Sequence, residues 1–427
     1  MADLGPTSMP DAAAAQRSSA SQPTVLIAGG GPAGMMAGLL FARAGVSTLV
    51  LEKHADFLRD FRGDTVHPST LELFAELGLV DELLQRPHDE ARQLSALIGG
   101  ERFAVADFTH LHTPKPFIAL MPQWEFLDFV SKAAARYPSF ALRMKAEAVD
   151  LVVSNDRVTG VKLADGSALS AKLVIAADGR HSVLREAAGL ERDDLGSPMD
   201  VFWFRVPKQK SRDNQSTGIF APGRILVMID RADYWQCAFV FAKGGADAVR
   251  ARGIEQFRGD VKAGAPMVGT NIESIKSWDD VKLLSVSLDR LTQWSRPGFL
   301  AIGDAAHAMS PIGGVGINLA VQDAVAAANA LAAPLARGAD VDALLQQVQD
   351  RRMLPTKIIQ GAQRLIQERI ISRVLSGSWH PGAARAPWPV RLANSVPLLQ
   401  RIPARLIGLG FRREHIRSPN AFPALKS

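Results

Sequence analysis

The sequence predicts an α/β fold with a second, antiparallel-sheet domain and C-terminal helices. Short apolar runs that end in Gly or Asp alternate with helical patterns in the first 197 residues and again from residue 292. Residues 198–291 are rich in strands and hold three of the seven tryptophans, and the chain is helical from 319 to about 375. We therefore divide the chain into a disordered tail (1–22), a nucleotide-binding domain in two parts (23–197 and 292–375), a substrate-binding sheet domain (198–291) and a basic C-terminal segment (376–427).

Composition excludes several classes of protein. The chain has 427 residues, of which 47% are hydrophobic, and no window approaches 18 uncharged apolar residues, so no membrane-spanning helix is expected. One cysteine, Cys237, excludes an internal disulfide and a four-cysteine metal site and fits the reducing cytoplasm, so we predict no metal and a cytoplasmic protein. The first 22 residues lack the apolar core of a signal peptide.

The positive charge is concentrated at the C-terminus. Residues 355–427 contain 12 Lys and Arg against Glu368 and Glu414, a local +10, which leaves −4 on the rest of a chain whose net charge is +6. The arginines are dispersed among Leu, Ile and Pro without stacking aromatics, so we expect no nucleic-acid partner. A weak contact with an anionic membrane surface stays open. The residues that would form this amphipathic surface are Arg364, Ile366, Ile370, Arg373, Val374, Leu406, Ile407, Arg412 and Arg413.

A dinucleotide fingerprint lies near the N-terminus. An apolar strand (24–28) leads into G-G-G-P-A-G, a helix follows to about residue 42, and a second strand (46–51) ends at Glu52. In this Rossmann-like unit Gly29 permits the tight turn, Gly31 lets the backbone approach a pyrophosphate, and Gly34 lets the helix pack on the strand. The Glu52 carboxylate would accept hydrogen bonds from the hydroxyl groups of an adenosine ribose. The spacing predicts nucleotide binding at this turn.

Several polar residues after the fingerprint could cap a helix or contact a ligand. Arg62 lies on a polar loop (61–68), where it could reach a phosphate or form a surface ion pair. Ser69 or Thr70 could cap the next helix, predicted for residues 71–77. Gln123 opens an amphipathic helix (123–136), and it could cap that helix or bind a ligand.

Two further strands end in an acidic residue. A third buried strand (172–176) is followed by Asp178, and a fourth (298–302) by Asp304. Pro311 and a glycine-rich turn then open a long Ala-rich helix. Amides at such a helix start favour an anion or an electron-rich carbonyl, so the chain offers a second site for a large planar group. FAD supplies both halves, with Asp304 on its ribityl chain and the amides of residues 313–316 at the pyrimidine edge of its ring.

These motifs together resemble the single-component flavoprotein aromatic hydroxylases typified by 4-hydroxybenzoate hydroxylase. The similarity spans residues 25–331 and rests on GGGPAG with Glu52, on Asp178-Gly179 with Ser182 and Arg185, and on Gly303-Asp304-Ala305-Ala306-His307 with Pro311 and residues 313–318. It implies an FAD site formed by Gly31, Ala33, Glu52, Lys53, Arg62, Gln123, Asp304, Gly314, Val315, Gly316, Ile317 and Asn318. It places Asp178 near the pyrophosphate and the nicotinamide cofactor, Pro311 at the edge of the substrate cavity, and His307 in a structural role.

The resemblance implies an NAD(P)H-dependent monooxygenase. NAD(P)H would reduce the flavin transiently, and O2 would add to give a C4a-hydroperoxide that hydroxylates an aromatic or polycyclic substrate. The protein would exclude water and hold the ring, and no catalytic side chain is assigned. One departure from the family is the absence of its tyrosine pair: Tyr137 and Tyr234 are the two tyrosines of the chain, and neither matches a phenol-deprotonating relay.

The substrate side is less determined by sequence. Trp203, Phe204 and Met228 are candidate lining residues, although core packing explains each equally well. A flavin-dependent halogenase is disfavoured because its Trp-x-Trp-x-Ile-Pro segment is missing and Trp388-Pro389 does not match it. A reductase acting on an isoprenoid, a membrane-peripheral quinone hydroxylase and a non-catalytic flavin- or ligand-binding protein remain as alternatives.

Overall fold

The computed structural model describes residues 22–58, 65–98, 101–208, 216–221, 223–231, 233–378 and 395–425. Strands β1 to β22 are, in chain order, Val25–Ala28, Thr48–Glu52, Thr65–Val66, Asp89–Ala91, Gln93–Ile98, Glu101–Asp107, Ile118–Leu120, Phe140–Met144, Ala148–Ser154, Arg157–Leu163, Ala168–Ser170, Leu173–Ala176, Arg192–Asp194, Met199–Pro207, Thr217–Ala221, Arg224–Arg231, Tyr234–Ala242, Lys282–Leu284, Asp289–Leu291, Ser295–Arg296, Phe299–Ala301 and His307–Ala308. Helices α1 to α11 are Pro32–Arg43, Pro68–Glu76, Val80–Leu83, Gln123–Ala134, Val183–Ala187, Ala246–Ala251, Ile254–Gly264, Gly316–Ala336, Asp342–Ile366, Ser372–Leu375 and Pro397–Gly408.

A six-stranded sheet with the order β20-β21-β12-β1-β2-β8 forms the centre of the first domain. The five strands from β21 to β8 are parallel, with Val25 of β1 opposite both Leu173 and Thr48, and β20 pairs antiparallel at the edge. β1, β12 and β21 are buried along their whole length, as parallel strands covered on both faces are. The α/β class and the predicted positions of these strands are confirmed, with ends shifted by one or two residues.

Helices α1 and α8 lie against one face of this sheet and pack on each other. α1 ends at Arg43, beside the predicted stop at Gly45, whose φ of +80° suits glycine. α2 begins at Pro68, earlier than predicted, and neither Ser69 nor Thr70 caps it, because the capping position falls at His67. The cap prediction is therefore wrong: the Thr70 hydroxyl instead donates to the side-chain oxygen of Asn318.

A seven-stranded sheet forms the second layer, in the order β18-β14-β17-β16-β15-β5-β6. The strand-rich character predicted for residues 198–291 is confirmed by β14 to β18, the last of which ends at Leu284. The sheet is mixed rather than wholly antiparallel, because β5 pairs parallel with β15 and brings β6 with it. One face packs against α6, α7 and the 3-10 segment Pro266–Ser274, and the other packs against Ile312 and the α10 region.

The C-terminal helices pack against the rest of the protein through some of their apolar residues. In the predicted basic amphipathic segment, Val374 packs on the seven-stranded sheet, whereas Ile366 and Ile370 are exposed. Leu406 and Ile407 of α11 pack inward against apolar clusters rather than outward. Among the described residues, Ile312–Ala336 is long and apolar enough to cross a membrane, yet 72% of its apolar window is buried inside the protein, as expected for a core helix.

Candidate functional site

Four parallel strands bring the sequence motifs to one edge of the central sheet. β1, β2, β12 and β21 run in the same direction, so the residues after their carboxyl ends share that edge. These residues are Gly29 after β1, Glu52 at the end of β2, Asp178 after β12 and Asp304 after β21. Ligands of open α/β sheets bind at this edge, so the predicted nucleotide site is assembled from four separate parts of the chain.

The turn between β1 and α1 depends on two close backbone approaches. Gly29 has φ +109°, and a Cβ there would overlap the carbonyl of Ala177. A Cβ on Gly34 would overlap the carbonyl oxygen of Gly29, so helix and strand could not pack as they do. Gly31 differs from both: an added Cβ would meet no atom within 4 Å, and α1 carries no acidic residue in its first turn. The open space at Gly31, at the positive end of a helix, fits a pyrophosphate.

Glu52 is held in place by the turn it faces. Its Oε2 accepts a hydrogen bond from the Gly30 N–H at 3.0 Å, and its Oε1 accepts one from the His54 N–H at 2.9 Å. The carboxylate is thereby fixed beside the fingerprint, where an adenosine ribose would lie. Lys53 points elsewhere, toward an exposed ion pair with Glu147 at 3.8 Å.

The loop after β12 is fastened by Asp178, Ser182 and Arg185. The Ser182 hydroxyl caps α5 by accepting from the Arg185 N–H at 3.1 Å, and Asp178 Oδ2 accepts from the Leu184 N–H at 3.3 Å. Burial raises the pKa of Asp178, although these hydrogen bonds partly oppose that rise. The other oxygen of Asp178, Oδ1, is buried with no hydrogen-bond partner among the described residues. In this structure Asp178 therefore supports the loop and keeps one acceptor unused.

Asp304 lies opposite this loop. Arg185 is buried and joins the two strand ends, donating to the carbonyls of Arg180 at 2.6 Å and Ala305 at 3.3 Å. The carboxylate of Asp304 pairs with the guanidinium of Arg180 at 3.3 Å, and both side chains are partly exposed. Asp304 is thus accessible at the edge of the sheet, as an acceptor for sugar hydroxyls must be.

A glycine turn, Pro311 to Gly316, leads into α8. Gly313 and Gly314 have φ of +77° and +64°, a backbone path that other residues rarely adopt. α8 then begins at Gly316, with no acidic residue in its first turn. The first amides of this helix have no partner within it, and they form the anion-favouring end predicted from the sequence.

The side chain of Asn318 has a structural role that the sequence did not indicate. Its Oδ1 accepts from the His67 N–H at 2.9 Å and from the Thr70 hydroxyl at 2.7 Å. Its Nδ2 lies within 3.5 Å of the carbonyl oxygens of Thr65 and Gly314. The carboxamide therefore ties β3 and α2 to the glycine turn, which leaves the backbone of Asn318 for a cofactor.

His307 is part of a buried ionic network, as expected for a structural partner. Its Nε2 lies 2.6 Å from Asp323 Oδ2, and Arg352 donates to the other oxygen of Asp323 at 2.9 Å. Burial alone would raise the pKa of Asp323, but the charges and hydrogen bonds of His307 and Arg352 hold that pKa below its usual value. Because the Gly303 N–H also donates to Asp323, at 3.1 Å, the network fixes the backbone immediately before Asp304.

The predicted substrate residues divide between the two faces of the seven-stranded sheet. Trp203 lies on the face that packs against Ile312 of the glycine turn, next to Pro311. Phe204 and Met228 are fully buried on the opposite face, in the cluster that includes Phe257 of α7. Phe204 and Met228 are therefore core residues of the α7 face, and Trp203 faces the other way because successive side chains of a strand point to opposite faces. Their role as lining residues stays a prediction.

Small side chains cross the middle of the face that Trp203 shares. Trp203 lies opposite Ala238, Ala238 opposite Val227, and Val227 opposite Gly218, which pairs in turn with Ala96. Three of these five residues are Ala or Gly, so small side chains predominate in this row, on the face that packs against Ile312 of the glycine turn. The sequence did not single out Ala238, Val227, Gly218 or Ala96.

Three other predicted cofactor residues have different outcomes. Arg62 lies outside the described residues. Gln123 is the first residue of α4 and is half-buried, and α4 has no side-chain cap. Ala33, the second residue of α1, is buried and approaches the loop that carries Asp304, since a Cβ on Gly303 would lie 2.9 Å from the Ala33 Cβ.

The chain matches a known protein family and several characterised proteins. Residues 22–362 match the family model described as FAD binding domain. The chain is 29% identical over 402 residues to 6-methylpretetramide 4-monooxygenase of Streptomyces rimosus, covering 92% of this chain and 94% of that protein. It is 27% identical over 395 residues to aklavinone 12-hydroxylase DnrF of Streptomyces peucetius, covering 83% and 76%. The crystal structure of P. aeruginosa PqsL in complex with 2-aminobenzoylacetate has the same fold, with a TM-score of 0.71, 20% identity and coverage of 85% and 99%.

Proposed function

The chain belongs to the FAD binding domain family, as a single-component FAD-dependent aromatic hydroxylase, and from this membership we propose that it uses NAD(P)H and O2 to hydroxylate a flat, polycyclic aromatic molecule. One observation carries the proposal: Gly303, beside Asp304, lies close to both Ala33 of α1 and Ala320 of α8, and Ile312 of the glycine turn packs on the Trp203 face of the seven-stranded sheet. An FAD molecule bound along the carboxyl edge of the central sheet, in a groove formed by Gly29, Glu52, Asp178 and Asp304, would therefore present its ring to a substrate lying on the Trp203 face.

The residues present fit FAD. Open space at Gly31 accommodates the pyrophosphate, Glu52 is held where it would accept the ribose hydroxyls, and Asp304 is partly exposed where it would accept hydrogen bonds from the ribityl chain. The bound flavin would supply hydride acceptance and oxygen activation. The chain would contribute the positive end of α8, whose amides stabilise negative charge at the pyrimidine edge of the ring. Removing one such preorganised donor typically costs about 3 kcal/mol.

The substrate class is inferred from the sheet surface and from the relatives. The row Trp203, Ala238, Val227, Gly218 and Ala96 offers an apolar floor of mostly small side chains that suits a planar ring system. The relatives named above act on 6-methylpretetramide and aklavinone, and we extend that class to this chain. With Tyr137 half-buried in the first domain and Tyr234 at the start of β17, we infer that no tyrosine relay deprotonates the substrate.

The test is a screen for aromatic-stimulated NAD(P)H oxidation with oxygen uptake. Purified protein reconstituted with FAD should be yellow, and a planar polycyclic phenol or quinone should accelerate NAD(P)H consumption and yield a product 16 mass units heavier. Asp304→Ala should be colourless after the same reconstitution. A yellow protein whose NAD(P)H oxidation no aromatic stimulates would instead support the non-catalytic flavin-binding alternative.

The membrane-peripheral alternative has its own test. Because Leu406 and Ile407 are partly buried against apolar clusters of the protein, we propose a cytoplasmic enzyme that does not require a membrane. Flotation with vesicles containing phosphatidylserine should leave the protein at the bottom of the gradient. Co-flotation would favour the quinone-modifying alternative.

A further inference from the structure

Arg180 and Asp304 form an ion pair across the groove that the cofactor would occupy. Arg180 lies in the loop after β12 and Asp304 follows β21, so the pair joins the ends of two neighbouring parallel strands. Their single contact is 3.3 Å long, and the two side chains are 19% and 31% exposed. An ion pair that is partly exposed and makes one contact is weakly held, so either member can be drawn to a better partner.

The backbone of Arg180 is fixed although its side chain is not. The buried Arg185 donates to the Arg180 carbonyl at 2.6 Å and to the Ala305 carbonyl at 3.3 Å. These hydrogen bonds keep the two loops at a constant separation. The long guanidinium side chain of Arg180 can therefore change direction while the loops stay in place.

The charge at this edge requires a cation when a diphosphate binds. Glu52, Asp178 and Asp304 bring three carboxyl groups to the groove, and the pyrophosphate would add two negative charges. Arg185 is committed to the two carbonyls, and Lys53 pairs with Glu147 with half of each side chain exposed. Within the described part of the chain, Arg180 is the arginine of these strand-end loops that keeps an accessible guanidinium.

We propose that Arg180 exchanges its partner when FAD binds: it holds Asp304 in the empty groove and turns to the pyrophosphate in the loaded one. The exchange leaves the Asp304 carboxylate free to accept the ribityl hydroxyls, so one movement neutralises the phosphates and exposes the sugar acceptor. The inference rests on the FAD placement under the proposed function, but not on hydroxylation. It assigns to Arg180 a role in loading the cofactor.

The test compares the binding of FAD with the binding of two of its fragments, ADP and riboflavin. Apoprotein is titrated with FAD, with ADP and with riboflavin, by calorimetry or by quenching of flavin fluorescence, for the parent and for Arg180→Gln. Losing a charged hydrogen bond to phosphate should lower the affinity for FAD and for ADP by about 10-fold to 100-fold. Riboflavin has no phosphate, so its affinity should stay equal or rise because Asp304 is released.

Four further measurements control the result. Arg180→Lys should retain part of the FAD affinity, and Arg364→Gln, which removes from α9 the arginine of an exposed ion pair with Glu368, should retain all of it. Asp304→Asn should lower the affinities for riboflavin and for FAD together. The FAD affinity of the parent should also fall more steeply with ionic strength than that of Arg180→Gln.

Two outcomes would overturn the exchange. One is that Arg180→Gln binds FAD within twofold of the parent at low salt, and the other is that riboflavin loses as much affinity as FAD. Failure of the proposed function is seen separately, as normal FAD titration without aromatic-stimulated NAD(P)H oxidation. In that case the Arg180 exchange would stand.

Discussion

The side-chain oxygen of Asn318 accepts a hydrogen bond from the backbone N–H of His67 at 2.9 Å, joining residues that are 251 positions apart. The same oxygen accepts a hydrogen bond from the Thr70 hydroxyl, so hydrogen bonds join the first turn of α2 to the first turn of α8. Any change in the position of the glycine turn is thereby transmitted to α2. This contact makes the predicted cofactor turn a rigid part of the structure.

Replacing Asn318 by Ala should destabilise the protein. The His67 N–H and the Thr70 hydroxyl would become buried donors without an acceptor, and each such group costs about 1–3 kcal/mol. Urea denaturation should show a lower free energy of unfolding, whereas Asn271→Ala, which removes an exposed hydrogen bond to the Pro207 carbonyl, should change it little. An Asn318→Ala protein as stable as the parent would contradict the structural role of this side chain.

His67 should make stability depend on pH in the range just below neutrality. Burial lowers its pKa to about 4, although the hydrogen bond between Nδ1 and the Ile407 carbonyl partly opposes this. Below the unfolded-state pKa of about 6.5 the unfolded chain binds a proton that the folded protein does not, so stability falls as the pH drops from 6.5 to 4. Between pH 7 and pH 5 this one group should remove about 2 kcal/mol.

The His67 effect is measured by difference. Urea midpoints of the parent and of His67→Gln are compared at pH 7, 6 and 5, since Gln can keep a donor toward Ile407 without titrating. The parent should lose more stability across this range than His67→Gln, and His112→Gln, at an exposed site, should follow the parent. Parallel pH profiles for the parent and His67→Gln would show that His67 is not held neutral.

Asp323 should produce a second, more acidic transition. Its folded-state pKa lies below the usual value, so its contribution is present above the unfolded pKa of about 4 and is lost as the pH falls through the folded value. Asp323→Asn at pH 7 removes the carboxylate that lies between His307 and Arg352 and leaves Arg352 paired with Glu414 at 3.5 Å, so it should cost about 3 kcal/mol, the lower end for a broken buried pair. Thermal unfolding at pH 7 and pH 3 should show the difference between the two proteins shrinking at pH 3. A difference that is constant with pH would refute the assignment.

Sequence patterns predicted the elements whose signals are local. The strands before Gly29, Asp178 and Asp304 are continuous apolar runs with a turn residue at the end, and the structure has them within two residues of the predicted positions. The helix after the glycine turn was equally clear, because Ala-rich periodicity continues for several turns. In each case the residues that determine the element lie within it.

Contacts between distant segments could not be read from the chain. Pairing of β5 with β15 joins segments more than 100 residues apart, and no pattern in either indicates the other. The faces of β14 were also undetermined. Both sides of this strand are largely buried, so alternation of apolar and polar residues does not show that Trp203 faces the glycine turn and Phe204 faces α7.

The two faces of the seven-stranded sheet should respond differently to substitution. Val227→Phe fills the row of small side chains on the Trp203 face, so it should lower substrate affinity while FAD still binds. Met228→Ala, one residue away on the α7 face, should cost about 2–5 kcal/mol of stability and leave substrate affinity unchanged. Substrate-induced changes in the flavin spectrum measure the first effect and urea denaturation the second. The reverse pattern would place the substrate on the α7 face.

The two fingerprint glycines Gly31 and Gly34 should separate folding from cofactor binding. A Cβ on Gly34 would overlap the Gly29 carbonyl oxygen, so Gly34→Ala must displace α1 from β1 and should lower the unfolding temperature of the apoprotein. Gly31 has φ −76°, and its Cβ position is open, so Gly31→Val should leave the apoprotein as stable as the parent. The same valine would occupy the space assigned to the pyrophosphate, and FAD affinity should fall at least tenfold. Differential scanning fluorimetry of each apoprotein, followed by titration with FAD, distinguishes the two effects. If Gly31→Val bound FAD as tightly as the parent, the pyrophosphate could not lie at the start of α1.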